Sequence, residues 1–205
     1  MGDDAPVAVF AYGSLVAAAS ATVTLDRPPL PVWLPGHAKP ATLRGWRRRF
    51  SQARQNRTCE KTFARDDDGS VPQIVLGLNV ERTGAADDTV NGLLIEVTGT
   101  ELLRLDGREL RYDRVEVGEE IEAPGERAGS RPIYTYTAKP SHFAPVPPPG
   151  AVVLRSYVTA VEEAFAELGS RELASFHETT GSPPSELIDA HLIRDRIPAG
   201  NPRDW

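Results

Sequence analysis

The segment Val7-Ala8-Val9-Phe10-Ala11-Tyr12-Gly13-Ser14-Leu15 carries the strongest structural signal in this chain of 205 residues. Its first six residues form a continuous apolar run, which is typical of a buried strand, and Gly13-Ser14 then marks a tight turn. A glycine in such a turn lets a ligand approach the main chain closely, and converging N–H groups can hold a carboxylate or an oxyanion. Taken alone, the motif is short, and an ordinary strand-ending turn explains it more simply.

A second segment, Leu105-Asp106-Gly107-Arg108-Glu109-Leu110-Arg111-Tyr112, lies between a predicted helix and a predicted strand. We expect the helix over Thr100 to Leu105, with Thr100 as N-cap and Gly107 beyond its end, and the strand over Tyr112 to Ile121. A carboxylate held in a cleft at such a junction can act first as a base and then as an acid. Taken alone, a solvated Arg/Glu surface pair, which contributes little to stability, explains these residues better.

Strands come first along the chain and helices come last, which predicts an α+β fold. Further strands are expected over Ala41 to Ser51, Ile74 to Val80, Leu93 to Val97 and Ile133 to Thr137. Apolar residues at helical spacing from Leu154 to Leu168 predict a helix that Gly169 ends, and two more helices are expected over Arg171 to Phe176 and from Ser182 to about Arg194. We therefore expect a single domain, residues 1–205, with a helical C-terminal part over residues 151–205.

The net charge of −6 and a hydrophobic content of 40% describe an acidic globular chain that can bury a core. The charge disfavours a basic nucleic-acid binder, and the single cysteine, Cys59, excludes an intramolecular disulfide and a cysteine-rich zinc site. The four histidines are not paired at i, i+4, so no metal site is expected. The acidic start, Met1-Gly2-Asp3-Asp4, and the absence of a long apolar run predict a cytoplasmic protein without a membrane partner.

The stretch from Arg44 to Arg65 holds seven arginines and one lysine against one acid, Glu60. A nucleic-acid stripe, the outward face of a hairpin, and one arginine that pairs with a substrate carboxylate all fit this pattern. In an acidic chain we favour the hairpin face, so no nucleic-acid partner is expected. The residues alone do not indicate which arginine would face a cleft.

The order and spacing of the two polar segments change the interpretation, because together they resemble the γ-glutamylcyclotransferase-like family. That family includes the ChaC-type glutathione-degrading enzymes and the plant avirulence-induced-gene-like proteins. Its N-terminal signature is a strand followed by Tyr12-Gly13-Ser14, and Glu109 matches its catalytic position, after the strand Gly92 to Val97 and a short helix. The segments Tyr112 to Val117 and Gly45 to Ser51 resemble two further strands, so the resemblance covers most of residues 7–137.

The resemblance implies a mixed, largely antiparallel sheet, curled into a small barrel with flanking helices. It also implies an enzyme without a cofactor that releases 5-oxoproline and a free amine from a γ-glutamyl compound by intramolecular attack. In such an enzyme Glu109 would be the catalytic acid/base. The substrate-binding residues that the resemblance implies are Tyr12, Gly13, Ser14, Leu15 and Tyr112.

Several alternatives stay open. The chain could be a module that keeps the fold and binds a small carboxylated metabolite or a protein partner, or an enzyme that cleaves a related amide. A Glu109 buried beside the Tyr12 turn would favour an enzyme, and an exposed Glu109 far from it would favour the binding module. Residues 52–72 and 171–205 match nothing in the family pattern, and the amine side of the substrate stays open. A monomer and a homodimer both fit the sequence.

Overall fold

The computed structural model describes residues 7–33, 36–127, 129–198 and 201–202. The strands in these ranges are β1 (Val7–Ala11), β2 (Ala38–Arg44), β3 (Trp46–Gln55), β4 (Lys61–Arg65), β5 (Ile74–Arg82), β6 (Thr89–Val97), β7 (Tyr112–Glu116), β8 (Ile121–Glu122), β9 (Ile133–Ala138), β10 (Ala151–Leu154), β11 (Glu186–Ile188) and β12 (Ala190–Asp195). The helices are α1 (Ala18–Leu25), α2 (Gly99–Arg108), α3 (Arg155–Leu168) and α4 (Ser170–Thr179).

The first strand, β1, lies inside a six-stranded sheet ordered β7-β9-β1-β6-β2-β8. It pairs antiparallel with β6 and parallel with β9, and Ala8 to Ala11 are buried, which accounts for their unbroken apolar run. The sheet is strongly curled into a half-barrel, and most of its ladders are antiparallel. The predicted α+β fold with a mixed, curled sheet and flanking helices is confirmed.

A close approach between β6 and the end of β1 depends on Gly92. A Cβ atom at this position would lie 2.2 Å from the carbonyl oxygen of Ala11 and 2.8 Å from Cζ of Phe10. No larger residue can occupy it unless the strands move apart. Gly92 therefore fixes how closely β6 packs beside β1, immediately before the chain turns at Tyr12.

A second sheet, ordered β11-β10-β5-β3, packs near the first, and a separate two-stranded sheet pairs β12 with β4. β5 pairs antiparallel with β3 and parallel with β10. The β4–β12 ladder joins residues 61–65 to residues 190–195, so the two segments without a counterpart in the family pattern lie side by side.

The C-terminal part is not wholly helical, and the helix expected from Ser182 to about Arg194 is wrong. That stretch forms the strands β11 and β12 instead. Each pairs with a strand from an earlier part of the chain, and such distant pairing overrides the local pattern. The other two predicted helices match α3 and α4, and Gly169 ends α3 as expected.

Two strand predictions also need correction. The single strand expected over Ala41 to Ser51 is two strands, β2 and β3, because Gly45, with a φ of 75°, interrupts the extended backbone where the chain passes from the first sheet to the second. The strand expected over Tyr112 to Ile121 ends at Glu116, and a 3-10 turn over Gly118–Glu120 separates it from β8. The sequence analysis predicted neither α1 nor β10.

The helix before Glu109 begins earlier and ends later than expected. Thr98, not Thr100, is the N-cap of α2, and it forms a reciprocal capping box with Glu101. Gly107 lies in the last turn of the helix and not beyond it. The helix therefore extends directly to Glu109.

Candidate active site

The turn that follows β1 is built by Tyr12, Gly13 and a 3-10 segment, Ser14–Val16. The main-chain N–H of Val16 donates to the Gly13 carbonyl at 2.9 Å and closes the turn. The buried Tyr12 hydroxyl donates to the Tyr136 carbonyl at 2.7 Å and ties the turn to β9. Burial raises the pKa of Tyr12 well above its ordinary value, so its hydroxyl stays protonated and can donate this hydrogen bond at physiological pH.

The end of α2 places Glu109. The helix packs through Leu102 and Leu105, which are buried, and the Glu109 N–H closes its last turn by donating to the Leu105 carbonyl at 2.9 Å. Glu109 itself caps the helix with a non-helical backbone (φ −87°, ψ 53°), and its side chain is only 11% exposed. The surface Arg/Glu pair that its sequence context also allowed is therefore not what the structure contains.

All six residues that the sequence proposed for the site line one small cavity of about 50 Å³. The residues are Tyr12, Gly13, Ser14, Leu15, Glu109 and Tyr112. Two segments that lie far apart in the chain thus meet at a single concave surface, with a buried carboxylate beside the turn.

Tyrosines dominate the rest of this cavity. Tyr112 donates its hydroxyl to the Leu78 carbonyl at 2.7 Å, and Tyr136 donates its hydroxyl to Asp106 at 2.8 Å. Tyr157, from α3, also lines the cavity, and burial raises its pKa to about 12, with a main-chain hydrogen bond from Leu78 lowering it in part. Sequence reasoning missed Tyr136 and Tyr157, because their strand and helix patterns carry no motif.

Leu78 can bind a tyrosine side chain because of an irregularity in its ladder. The β3–β5 register shifts between Arg49 and Gln52, which leaves Leu78 outside the regular pairing. Its carbonyl is therefore available to accept the hydrogen bond from Tyr112.

Arg108 is a further functional candidate that the sequence analysis did not select. Its side chain is 2% exposed, and its Nε lies 3.1 Å from Oε1 of Glu109. The guanidinium also donates to Ser14 Oγ at 3.2 Å, to Ser20 Oγ at 2.9 Å and to Thr24 Oγ1 at 2.5 Å. It therefore joins α1, the turn and Glu109. Its position next to Glu109 in the sequence could have identified Arg108 as a site residue.

Arg48 supports the turn from the opposite side. Its buried guanidinium donates to the Tyr12 carbonyl at 3.0 Å and to the Asn91 side chain at 2.7 Å, and it lies 4.3 Å from the centre of the Phe176 ring. Burial lowers the pKa of Arg48, but its several acceptor oxygens keep it charged at neutral pH. This arginine holds the turn against α4 and does not lie on an outward hairpin face.

The remaining cations of the arginine-rich stretch are dispersed. Arg44, Arg47, Arg49 and Arg65 form ion pairs with acids on other elements. Arg54 and Lys61 line a second, larger cavity next to Glu109. Arg54 thus faces a cavity, and the pairing of an arginine of this stretch with a substrate carboxylate stays a prediction.

The larger cavity has a volume of about 380 Å³, within the usual range for small-molecule sites. It shares four lining residues with the small cavity, namely Ser14, Glu109, Tyr112 and Tyr157. Glu109 therefore lies at the junction of two compartments, one narrow and formed around the turn, the other wider.

Two further observations concern metal binding and membrane-spanning helices. Among the residues that the structure describes, no group of three or more His, Cys, Asp or Glu side chains could hold a metal ion. Over the same ranges, none of the helices has the length and apolar character that crossing a membrane requires.

Comparison with solved structures finds the same architecture elsewhere. YkqA from Bacillus subtilis aligns with a TM-score of 0.56 and 20% identity over 88% of this chain, which spans 56% of the length of YkqA. An uncharacterized protein from Homo sapiens aligns with a TM-score of 0.54 and 13% identity, over 89% of this chain and 93% of its own. A protein described as a γ-glutamyl cyclotransferase aligns with a TM-score of 0.52 and 13% identity, over 89% of this chain and 94% of its own.

These likenesses concern the fold, because all three identities are low. The chain has the fold of γ-glutamylcyclotransferase-like proteins, and the resemblance that the two polar segments indicated is confirmed at that level. No protein-family model and no curated protein sequence matches the chain.

Proposed function

We propose that this protein is a γ-glutamyl cyclotransferase-type enzyme that converts a γ-glutamyl compound into 5-oxoproline and a free amine. One observation carries the proposal. The carboxylate of Glu109 is nearly buried and lines the same cavity as the turn from Tyr12 to Leu15. A buried acid facing main-chain donors is the arrangement that an intramolecular acyl transfer requires.

The first step is deprotonation of the α-ammonium group of the γ-glutamyl unit by Glu109. The amine that results attacks the γ-carbonyl carbon of the same molecule and closes a five-membered ring. Because nucleophile and electrophile belong to one substrate, the enzyme gains rate mainly by selecting the conformation in which they meet. The tyrosine-lined cavity beside Glu109 is narrow, which favours a folded γ-glutamyl chain over an extended one.

The attack places negative charge on the former carbonyl oxygen. The N–H groups of Ser14 and Leu15 precede the first hydrogen bond of the turn, between Val16 and Gly13, and such early N–H groups can bind an oxyanion. The Tyr157 hydroxyl, close to Gly13, is a second candidate donor. Donors that are already fixed in place need no reorganisation as the charge develops.

Collapse of the tetrahedral intermediate breaks the bond from the carbonyl carbon to the leaving nitrogen. The ring nitrogen loses two protons over the reaction, and the leaving group gains two and departs as an ammonium ion. In the proposed mechanism Glu109 carries these protons one at a time, and its place in the lining of both cavities supports this role. No net proton is consumed, and the carboxylate is regenerated.

The alternative, a module that binds a carboxylated metabolite without catalysis, explains the site less well. A γ-glutamyl unit brings an ammonium group that a nearly buried carboxylate can bind and deprotonate, whereas a simple carboxylated ligand offers Glu109 no such partner. The nearby Arg108 neutralises part of that charge, yet the carboxylate still faces both cavities.

The proposal is tested by incubating the purified protein with a panel of γ-glutamyl peptides and γ-glutamyl amines and measuring 5-oxoproline. Release from at least one substrate, in proportion to enzyme, supports the proposal. A folded protein that releases 5-oxoproline from none of them contradicts it, and calorimetric binding of the same compounds would then favour the binding module.

A further inference from the structure

Gln52, on β3, is a buried polar residue to which the proposed mechanism assigns no role. It is 5% exposed, and it lines the larger cavity together with Glu109. Its main chain is held on both sides, because it pairs with Gly77 of β5 and forms an isolated bridge to Phe143. Gln52 therefore has a fixed position in the wall of the larger cavity.

One hydrogen bond defines the orientation of the Gln52 amide. Its Nε2 atom donates to the Ala53 carbonyl at 3.0 Å, and only the nitrogen of an amide can donate. The oxygen, Oε1, lies at the other end of the group, where it can accept a hydrogen bond. A Cβ atom on Gly77 would lie 3.1 Å from this oxygen, so the lack of a side chain at Gly77 makes room for it.

Within the residues that the structure describes, Oε1 of Gln52 accepts no hydrogen bond. The Tyr112 hydroxyl, which would lie 3.7 Å from the same Cβ atom, donates its single proton to the Leu78 carbonyl. A buried amide oxygen without a donor costs free energy. Because Gln52 and Gly77 both line the larger cavity, a ligand in that cavity can supply the donor.

The chemistry of this oxygen limits what it can bind. An amide oxygen is an acceptor only, so it favours an N–H or O–H group over an anion. Apolar side chains from five elements also line the cavity: Phe63, Val75, Leu76, Leu154, Ala160 and Leu192. Such a surface gains free energy by covering an apolar group. An N–H group attached to an uncharged, apolar body matches both features.

We propose that Oε1 of Gln52 accepts a hydrogen bond from the leaving nitrogen of the γ-glutamyl substrate and that the enzyme thereby selects amides of primary amines. The inference rests on the proposed function, in which Glu109 gives a proton to that nitrogen. With the γ-glutamyl unit in the small cavity, the leaving amine extends into the larger cavity, which Glu109 also lines. The amide of a primary amine has one N–H of its own, and this N–H is the donor to Gln52.

The hydrogen bond to Gln52 strengthens as the bond from the carbonyl carbon to the leaving nitrogen breaks. The nitrogen then receives a proton from Glu109 and gains positive charge, and a charged donor forms a stronger hydrogen bond than a neutral one. Gln52 itself neither gains nor loses a proton. In the amide of a secondary amine, an alkyl group replaces the N–H, so the buried oxygen of Gln52 stays without a donor.

The experiment compares two substrates that differ by one methyl group on the leaving nitrogen, the γ-glutamyl amides of isopentylamine and of N-methylisopentylamine. Neither amine side carries a charge in the substrate, so attraction to charged residues of the cavity does not separate them. We expect the wild type to prefer the isopentylamine amide by about tenfold or more in kcat/KM. In Gln52→Met, which has a similar length and no amide oxygen, this preference should fall about fivefold or more.

Two further variants separate this contact from an effect on folding. Gln55→Met is the matched control, because Gln55 lies on the same strand, is exposed and is not in the cavity lining, and it should leave the preference unchanged. Gly77→Ala keeps the glutamine but places a methyl group 3.1 Å from its oxygen, so the oxygen must move. The preference should fall in Gly77→Ala too, which tests the inference even where Gln52→Met does not fold.

Two results overturn the inference while leaving the cyclotransferase function in place: no preference in the wild type, or an unchanged preference in folded Gln52→Met and Gly77→Ala. Equal losses for both amides give such an unchanged preference, since Gln52 would then contact the γ-glutamyl unit. If neither amide yields 5-oxoproline, the proposed function fails, and dissociation constants from calorimetry decide the inference. A preference in affinity that Gln52→Met loses then supports it, and equal affinities, or no binding of either amide, overturn it.

Discussion

The Nε atom of Arg108 lies 3.1 Å from Oε1 of Glu109, the residue that follows it in the chain. The same guanidinium donates to Ser14 Oγ at 3.2 Å, in the turn after β1. One buried side chain thus connects the carboxylate at the end of α2 with the turn on the opposite side of the cavity. The separation between acid/base and turn, on which the proposed chemistry depends, is set by this residue.

Arg108→Lys should therefore impair catalysis more than it impairs binding. A lysine keeps the charge but cannot contact Glu109, Ser14 and Thr24 at once, so Glu109 loses its fixed orientation. We expect kcat to fall about tenfold or more, with a smaller change in KM, and the free energy of unfolding to fall by about 2 kcal/mol. Arg104→Lys, one turn earlier on α2, is the control. Unchanged kcat in Arg108→Lys would show that Glu109 is oriented by other contacts.

Arg48 is expected to matter for stability. In Arg48→Lys, several acceptors around the guanidinium, including the Tyr12 carbonyl and the Asn91 side chain, lose their donors in a buried setting. We expect a loss of about 3 kcal/mol in the free energy of unfolding, measured by urea titration. Arg49→Lys is the matched control, because Arg49 is half exposed and its ion pair with Glu81 is long, at 3.6 Å. Similar losses in the two variants would contradict this role.

Gly13 is expected to control access to the small cavity. A Cβ atom there would lie 3.4 Å from the Tyr157 hydroxyl and 3.8 Å from Leu78 Cδ1, which is tolerable for the fold but occupies substrate space. Gly13→Ala should raise KM about tenfold with little change in the unfolding midpoint. The control is Gly107→Ala, whose new methyl group would lie in ordinary contact with Pro202, at 3.7 Å. If Gly13→Ala keeps the wild-type KM, the substrate does not lie against the turn.

The capping box of α2 gives stability a defined pH dependence. Partial burial alone would raise the pKa of Glu101, but hydrogen bonds from Arg27, at 2.6 Å, and from the Thr98 N–H, at 2.8 Å, hold it below its ordinary value of 4.5. The ionised Glu101 carboxylate thus stabilises the folded protein fully above pH 4.5. This stabilisation is lost as the pH falls through the lower folded-state pKa.

Glu101→Gln should accordingly lower the free energy of unfolding by about 1 kcal/mol at pH 7. The difference from the wild type should shrink as the pH falls through the lowered folded-state pKa of Glu101, because the wild-type carboxyl then also becomes neutral. Urea titrations at pH 7 and at successively lower pH measure both quantities. A loss that does not change with pH would mean that the ionised carboxylate adds nothing to the cap.

Local sequence signals predicted β1, its turn and the helix that carries Glu109 because each depends on neighbours in the chain. They did not predict β12, whose partner, β4, lies in a distant segment. The run from Ser182 to Arg194 has apolar residues that suit either structure, and only that distant pairing selects the strand. For this reason the sequence did not predict that Leu192 of β12 and Phe63 of β4 line the larger cavity.

The residues of the candidate site also divide into those that a local motif predicted and those that depend on distant contacts. Tyr12 and Glu109 were predictable because a motif and its order along the chain mark them. Arg48, by contrast, was one of several similar arginines, and only burial against Tyr12 and α4 distinguishes it from Arg49. Tyr157 had no signal beyond its place in an amphipathic helix. No local sequence motif marks these residues, because they support the site from other elements of the fold.

We propose that the buried Glu109 moves the protons of the ring closure. The decisive measurement compares 5-oxoproline release by the wild type and Glu109→Gln on the best γ-glutamyl substrate, with Glu116→Gln, an exposed acid on β7, as control. We expect kcat to fall about 10³-fold in Glu109→Gln, with substrate binding retained, and to stay unchanged in the control. Wild-type kcat in a folded Glu109→Gln protein would show that Glu109 does not move these protons.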